Sequence, residues 1–169
     1  MFSVWRPELI ALRESLGKRR HPIQIVATLG GLDVDNMLIF NAPDVPVVLL
    51  TVGESASRMH DAVRSRPWIT PIVMDGPGEL GRAFVELRAR GVERVSAVGG
   101  RRIAAQLIDA GLVQDVYLTT APRPGGEPNT PMPARAVDGR VSVRKRGTAA
   151  ETGVVFEHLL IQDPPLRRV

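Results

Sequence analysis

The sequence predicts an α/β fold: a mostly parallel sheet flanked by helices, with an antiparallel pair of strands at the C-terminus. Three observations carry that expectation. Short apolar runs such as Val47-Val48-Leu49-Leu50 and Val95-Ser96-Ala97-Val98 are too brief for helices and alternate with segments of helical periodicity. The stretch from Val92 to Pro122 reads as strand, glycine turn, helix and strand, the pattern of a βαβ unit. Toward the C-terminus the apolar period falls to two, with Val141 and Val143, then Val154 and Phe156, alternating with polar residues.

In chain order, Pro7 to Leu16 is expected to form a short helix. Pro7 suits its first turn, Leu9, Leu12 and Leu16 share a face, and Gly17 stops it. The basic run Lys18-Arg19-Arg20-His21 reads as a solvated turn. Pro22 to Leu29 carries Ile23, Ile25, Val26 and Ala27, a buried strand ending at Thr28-Leu29-Gly30-Gly31. Asp33 and Asp35 could together face a hard cation, but with no third ligand nearby they read as an Asx-type turn. Met37 to Phe40 packs a short strand or turn into the core.

Pro46 to Thr51 is the clearest strand, and its unbroken apolar run suits burial on both faces, as in a parallel sheet. Ser55 reads first as the N-cap of a helix from Ala56 to Arg64. Ile69 to Met74 forms the next strand, Asp75 to Gly78 a turn, and Glu79 to Arg90 an amphipathic helix with Leu80, Phe84 and Leu87 on one stripe. Gly91 ends that helix. After Val95–Val98, the residues Ile103, Ala104, Leu107 and Ile108 share a helical face, and Gly111 ends the helix as a C-cap. Val116 to Thr120 is a strand closed by Pro122. Pro122 to Pro133 is too rich in proline and glycine for regular structure. Strands at Val141–Lys145 and Val154–Ile161 are joined by a turn around Gly147 to Gly153, with His158 in a structural role. Residues 1–163 make one domain and 164–169 a flexible tail.

The turn at Gly99-Gly100 is the strongest candidate site. Peptide N–H groups at a helix start have no intrahelical partner, the helix dipole adds partial positive charge there, and missing side chains let an anion approach. Arg101 and Arg102 stand in the first turn, where the dipole disfavours them unless an anion or an acid compensates. The competing reading is a tight turn with solvated arginines, because short glycine motifs recur widely.

On those residues the chain resembles the C-terminal reductase domain of the bifunctional riboflavin-biosynthesis deaminase/reductase, a pyrimidine reductase of dihydrofolate-reductase-like fold. Gly99-Gly100, the following helix, Ala110-Gly111-Leu112-Val113 and Leu118 to Pro122 carry the resemblance, and the order of elements extends it from about Pro7 to Ile161. Val98 stands where that family usually has Glu before Gly-Gly, near substrate and nicotinamide. No counterpart of the family's opening strand, its Ser-Leu-Asp-Gly-type loop or its Val-Gly-x-x-Thr loop precedes Arg6. The resemblance therefore implies a fold whose N-terminal strand and loop are missing.

What the resemblance implies for function is NADPH-dependent reduction of a phosphoribosylamino-pyrimidine in riboflavin biosynthesis, by a homodimer. It places Gly99, Gly100, Arg101, Arg102, Thr51, Thr28 and Ser55 at the cofactor. Thr28 would reach a ribose or phosphate oxygen or simply end its strand; Thr51 and Ser55 would lie near the adenine-ribose phosphate. No residue is named as catalytic, since hydride transfer belongs to the cofactor and the protein positions the reactants. Two alternatives remain open: a catalytically inactive dinucleotide- or phosphate-binding module, and a structural or oligomerising remnant of the same fold.

Composition narrows the classes. The 169 residues are 44% hydrophobic and contain no cysteine, which excludes disulfides and thiolate metal sites. Three scattered histidines do not make a metal centre. The net charge of +4 invites nucleic acid, but the arginines are dispersed and aromatics are few, so a phosphate-bearing small ligand is the preferred partner. No run is long and apolar enough to span a bilayer and no signal peptide is visible, so a cytoplasmic protein without a membrane partner is expected.

Overall fold

The computed structural model describes residues 4–98, 100–123 and 141–162, and of Arg101 the backbone alone. The chain separates into two compact units, Met1–Arg90 and Gly91–Val169.

The first unit opens with helix α1, Pro7–Ser15, followed by strand β1, Gln24–Ala27, strand β2, Val47–Val52, and helix α2, Gly53–Arg64. Strand β3, Ile69–Met74, and helix α3, Leu80–Ala89, complete it. The three strands form one parallel sheet in the order β1-β2-β3. Strand β2 is central, and Val47, Val48, Leu49, Leu50 and Thr51 are all buried, the outcome its unbroken apolar run calls for. Side chains alternate across the sheet. Val47, Leu49 and Ile69 join Met59 of α2, Val34 and Phe40 in one core cluster. Val48, Leu50, Ile72 and Met74 point the other way and are also buried, and α3 turns Leu80, Ala83 and Leu87 inward.

Between β1 and β2 the segment at Leu38–Phe40 is a 3-10 turn rather than a strand. It buries Phe40 completely, and the Phe40 carbonyl accepts a hydrogen bond from Trp68 Nε1 at 2.9 Å. Helix α1 forms where its period places it, yet its apolar stripe is not covered: Leu9, Leu12 and Leu16 are exposed.

The second unit holds helix α4, Arg101–Asp109, and the strands β4, Asp115–Thr120, β5, Val141–Thr148, and β6, Val155–Ile161. These strands form an antiparallel sheet in the order β4-β6-β5. Among the described residues Leu107 and Ile108 of α4 and Leu159 of β6 are its buried hydrophobic side chains.

Three expectations are corrected here. Val95–Val98 is not a strand, and Val95 and Val98 are exposed. An apolar run becomes a strand only when neighbours take up its N–H and C=O groups, and among the described residues this one has no ladder partner. As a result β4 does not close a βαβ unit. It runs antiparallel to β6, so the sheet content is three parallel strands and a separate three-stranded antiparallel sheet rather than one mostly parallel sheet. Finally, the C-terminal hairpin turns later than expected. The ladder continues through Thr148, with Gly147 opposite Phe156. The chain reverses at 149–154, where Ala149 N donates to the Val154 carbonyl at 2.9 Å. The loop from Pro124 onward to Pro133 and the tail at 164–169 lie outside the described residues.

Candidate functional site

The carboxyl edge of the parallel sheet gathers Thr28, Thr51 and Ser55. Thr28 N extends the ladder by one bond, to the Leu50 carbonyl at 2.9 Å. The chain then turns through Gly31, whose φ of +83° suits a residue without Cβ. Thr28 Oγ1 donates to the Gly31 carbonyl at 3.4 Å.

Helix α2 starts two residues past Thr51, and this moves Ser55. Val52 is the N-cap and Gly53 the first helical residue, so Ser55 sits inside the first turn rather than at the cap. Its hydroxyl, fully buried, donates to the Leu29 carbonyl at 2.6 Å. The N-cap reading is thereby overturned: the cross-link to the loop after β1 is the better use of the hydroxyl once the helix begins at Gly53.

Arg58, one turn further along α2, completes this corner. Its Nη2 donates to the Gly30 carbonyl at 3.2 Å and to Ser55 Oγ at 3.1 Å, while Nη1 pairs with Glu54 at 2.7 Å. Leu32 N adds a contact to Met59 Sδ at 3.3 Å. The glycine loop is thus laced to the helix by Ser55, Arg58 and Met59. A Cβ built on Gly30 or Gly53 would meet nothing within 4 Å, so the space in front of both is open. A half-exposed guanidinium therefore stands beside a helix start that no side chain caps among the described residues, an arrangement suited to a phosphate. Glu54 is the built-in competitor for that guanidinium.

Thr51 is different. It is 0% exposed and its Oγ1 has no hydrogen-bond partner among the described residues. It lines a groove of about 420 Å³ between α2 and β3, with Leu49, Met59, Val63, Ile69 and Val73 on the walls. As it stands, Thr51 faces that groove and not the open loop.

The glycine turn lies in the second unit. Gly100 is the N-cap of α4, with φ −61° and ψ 156°, and its carbonyl accepts from Ala104 N at 3.2 Å. This backbone needs no glycine for its dihedral angles. What Gly100 contributes is access: it is exposed, and a Cβ there would meet nothing within 4 Å. Among the described residues no side chain caps α4, and no acid stands in its first turn, while Arg102 is exposed beside it. Gly99 and the Arg101 side chain lie outside the described residues.

A family model of the RibD C-terminal domain matches residues 1–152. The chain belongs to that family. It is a riboflavin-pathway, reductase-type domain, and the family is one of dinucleotide-dependent reductase domains. No curated protein sequence matches the chain.

Against that family, the described residues fit the phosphate-bearing end of a dinucleotide better than its reacting end. In the first unit Arg58, the open glycine loop and the start of α2 offer positive charge and donors; in the second the start of α4 does so by itself, neither helix start being capped by a side chain among the described residues. At the glycine turn Val98 supplies no proton donor or acceptor, and it is exposed. No group of three metal-ligating side chains occurs among the described residues. Asp33 and Asp35 do other work. Asp33 accepts from Asn36 N at 3.2 Å and Asn36 Nδ2 at 2.8 Å, which holds its carboxyl below the ordinary range. Asp35 pairs with Arg66 at 2.9 Å. His60 is exposed and pairs with Asp61, and His158 is held in its sheet by Asp115. No helix among the described residues is long and apolar enough to cross a membrane.

Arg58 is the residue that sequence reasoning missed. Its signal is its spacing: three after Ser55 and four after Glu54 puts all three on one helical face. Only the docking of that face on the loop after β1 makes the spacing meaningful.

Proposed function

We propose that the chain is an NADPH-dependent reductase of dihydrofolate-reductase-like fold, acting on a phosphoribosylamino-pyrimidine of riboflavin biosynthesis in the cytoplasm. The observation that carries this reading is the Arg58 corner: a guanidinium fixed to the Gly30 carbonyl and the Ser55 hydroxyl, beside the open start of α2. In it Arg58 holds the 2′-phosphate on the cofactor's adenosine ribose, the one phosphate NADH lacks, and Ser55 and Thr28 keep the loop in place. In the second unit the start of α4, with the sequence-expected residues Gly99, Gly100, Arg101 and Arg102, is read separately as an anion site. The cofactor when bound supplies the hydride; the protein's part is to bind and orient.

NADPH titration by calorimetry and thermal shift tests the assignment. A cofactor at about a hundred times its Kd adds about 2.7 kcal/mol of stability. Arg58→Ala is expected to weaken NADPH and leave NADH unchanged, and Glu54→Gln to strengthen NADPH. Equal loss for both cofactors refutes the role given to Arg58, and no shift with millimolar NADPH refutes the cofactor. Association as a homodimer belongs to the same reading, because each three-stranded sheet, among the described residues, ends in outer strands that a second copy could extend. A monomer mass by light scattering at high concentration opposes it.

One feature favours a second reading, a phosphate- or dinucleotide-binding module without turnover or a structural remnant. The segment before the glycine turn is not a strand, and Val98 there stands where the resemblance leads one to expect Glu. NADPH binding without oxidation in the presence of the pyrimidine substrate is the result that selects the inactive module.

A further inference from the structure

The outer face of the antiparallel sheet carries a second constellation, wholly within the second unit. Tyr117, Thr119, Phe156, His158, Lys145 and Gly147 line a groove of about 300 Å³ there. The ladder brings them together: Tyr117 and Lys145 both oppose His158, while Thr119 and Gly147 both oppose Phe156. None of these side chains was expected to form a site.

Tyr117 and Phe156 are 77% and 51% exposed, a large apolar cost for two neighbouring rings on one sheet face. Tyr117 is nevertheless fixed. Its ring stacks on the His158 imidazole, with centroids 4.4 Å apart and planes 12° apart. His158 Nε2 is in turn hydrogen-bonded to Asp115 Oδ1 at 2.6 Å. An exposed ring held by a second ring and a carboxylate is a preorganised stacking platform.

Gly147 keeps the groove open. A glycine in a strand is often covered by an aromatic across the ladder. Phe156 does not cover this one, since a Cβ on Gly147 would meet nothing within 4 Å. At the end of the groove stands Lys145. Arg146 is engaged by Glu157 at 3.5 Å, whereas Lys145 pairs with no carboxylate among the described residues. Aromatic faces, a glycine gap and an unpaired ammonium are complementary to a flat ring that carries a negative charge.

We propose that this groove binds a mononucleotide, its base against Tyr117 and Phe156 and its phosphate on Lys145. The proposal is independent of the cofactor reading, which uses other residues. Tyr117 is the single tyrosine of the chain, so ring-labelled tyrosine gives one NMR reporter inside the site. Uridine 5′-monophosphate is the probe, with uridine and inorganic phosphate as separate arms. Millimolar uridine 5′-monophosphate is expected to shift the Tyr117 ring signals saturably, uridine several-fold more weakly, and phosphate not at all. Lys145→Gln should bring the mononucleotide down to the affinity of uridine. Gly147→Val should abolish the shift while leaving Tm equal or higher, because a branched residue suits a strand and finds room. An unmoved Tyr117 signal overturns the proposal. So does full binding by a folded Gly147→Val protein, or a response to an RNA oligomer under conditions where the mononucleotide gives none.

Discussion

Replacing Thr51 by Val should stabilise this protein. Thr51 lies in the central strand, fully buried, with its Oγ1 unpartnered among the described residues. Burying a hydroxyl without a hydrogen bond costs about 1–3 kcal/mol, and a methyl in its place adds about 0.8 kcal/mol of burial. Valine keeps the branched shape and the strand preference, so no cavity opens. Allowing for incomplete recovery of both terms, the expected gain is about 1–2 kcal/mol. For a chain of this length that corresponds to a rise in Tm of about 2–8 °C. Thermal and urea unfolding of Thr51→Val and Thr51→Ser against the parent protein provide the assay. The serine variant keeps the hydroxyl and loses the methyl, and should be less stable. If both variants lose stability, the hydroxyl is satisfied from the groove beside it, and the reasoning fails. A drop in NADPH affinity in the stabilised valine variant would separately place Thr51 at the cofactor.

Two further outcomes follow from local geometry. Arg82, at 2.6 Å, is the main cause holding the Glu79 carboxyl below its ordinary value of 4.5, with the Asp75 N–H second. A depressed folded value means that the contribution is present above the unfolded value and is lost as pH falls through the folded one. Arg82→Gln should therefore raise the Glu79 midpoint toward the ordinary range in a carboxyl NMR titration and flatten the acid limb of the stability curve; an unchanged midpoint contradicts the assignment. Gly111, after α4, has φ +68°, and Gly111→Ala should cost about 1–2 kcal/mol in urea unfolding. A neutral result would mean that the helix end relaxes out of the left-handed region.

Some of the site could be read from the chain and some could not. The placement of Thr28 and Thr51 at the ends of neighbouring strands was legible because each follows an apolar run, and strand ends in parallel sheets converge on one edge. Ser55 was legible as a polar residue near a helix start, but its job depends on where α2 begins. Arg58 looked like one arginine among many until the loop after β1 lay against it. Likewise Tyr117 and His158 read as ordinary strand residues, and their stacking exists only because β4 and β6 pair in that register.

Sequence alone determined what neighbours along the chain can decide. The run Val47–Leu50 had to be a doubly covered strand, the stretch with Asp33 and Asp35 had to make a local turn, and Gly17 and Gly111 had to end helices, because short-range sterics and hydrogen bonds suffice for each. Tertiary structure decided everything that needs a partner far away in sequence. Val95–Val98 has strand composition and, among the described residues, no ladder, β4 took its direction from β6, and Arg58 took its meaning from Gly30. Backbone polar groups and charges are satisfied by whatever the fold brings to them, and one-dimensional spacing does not say what that is.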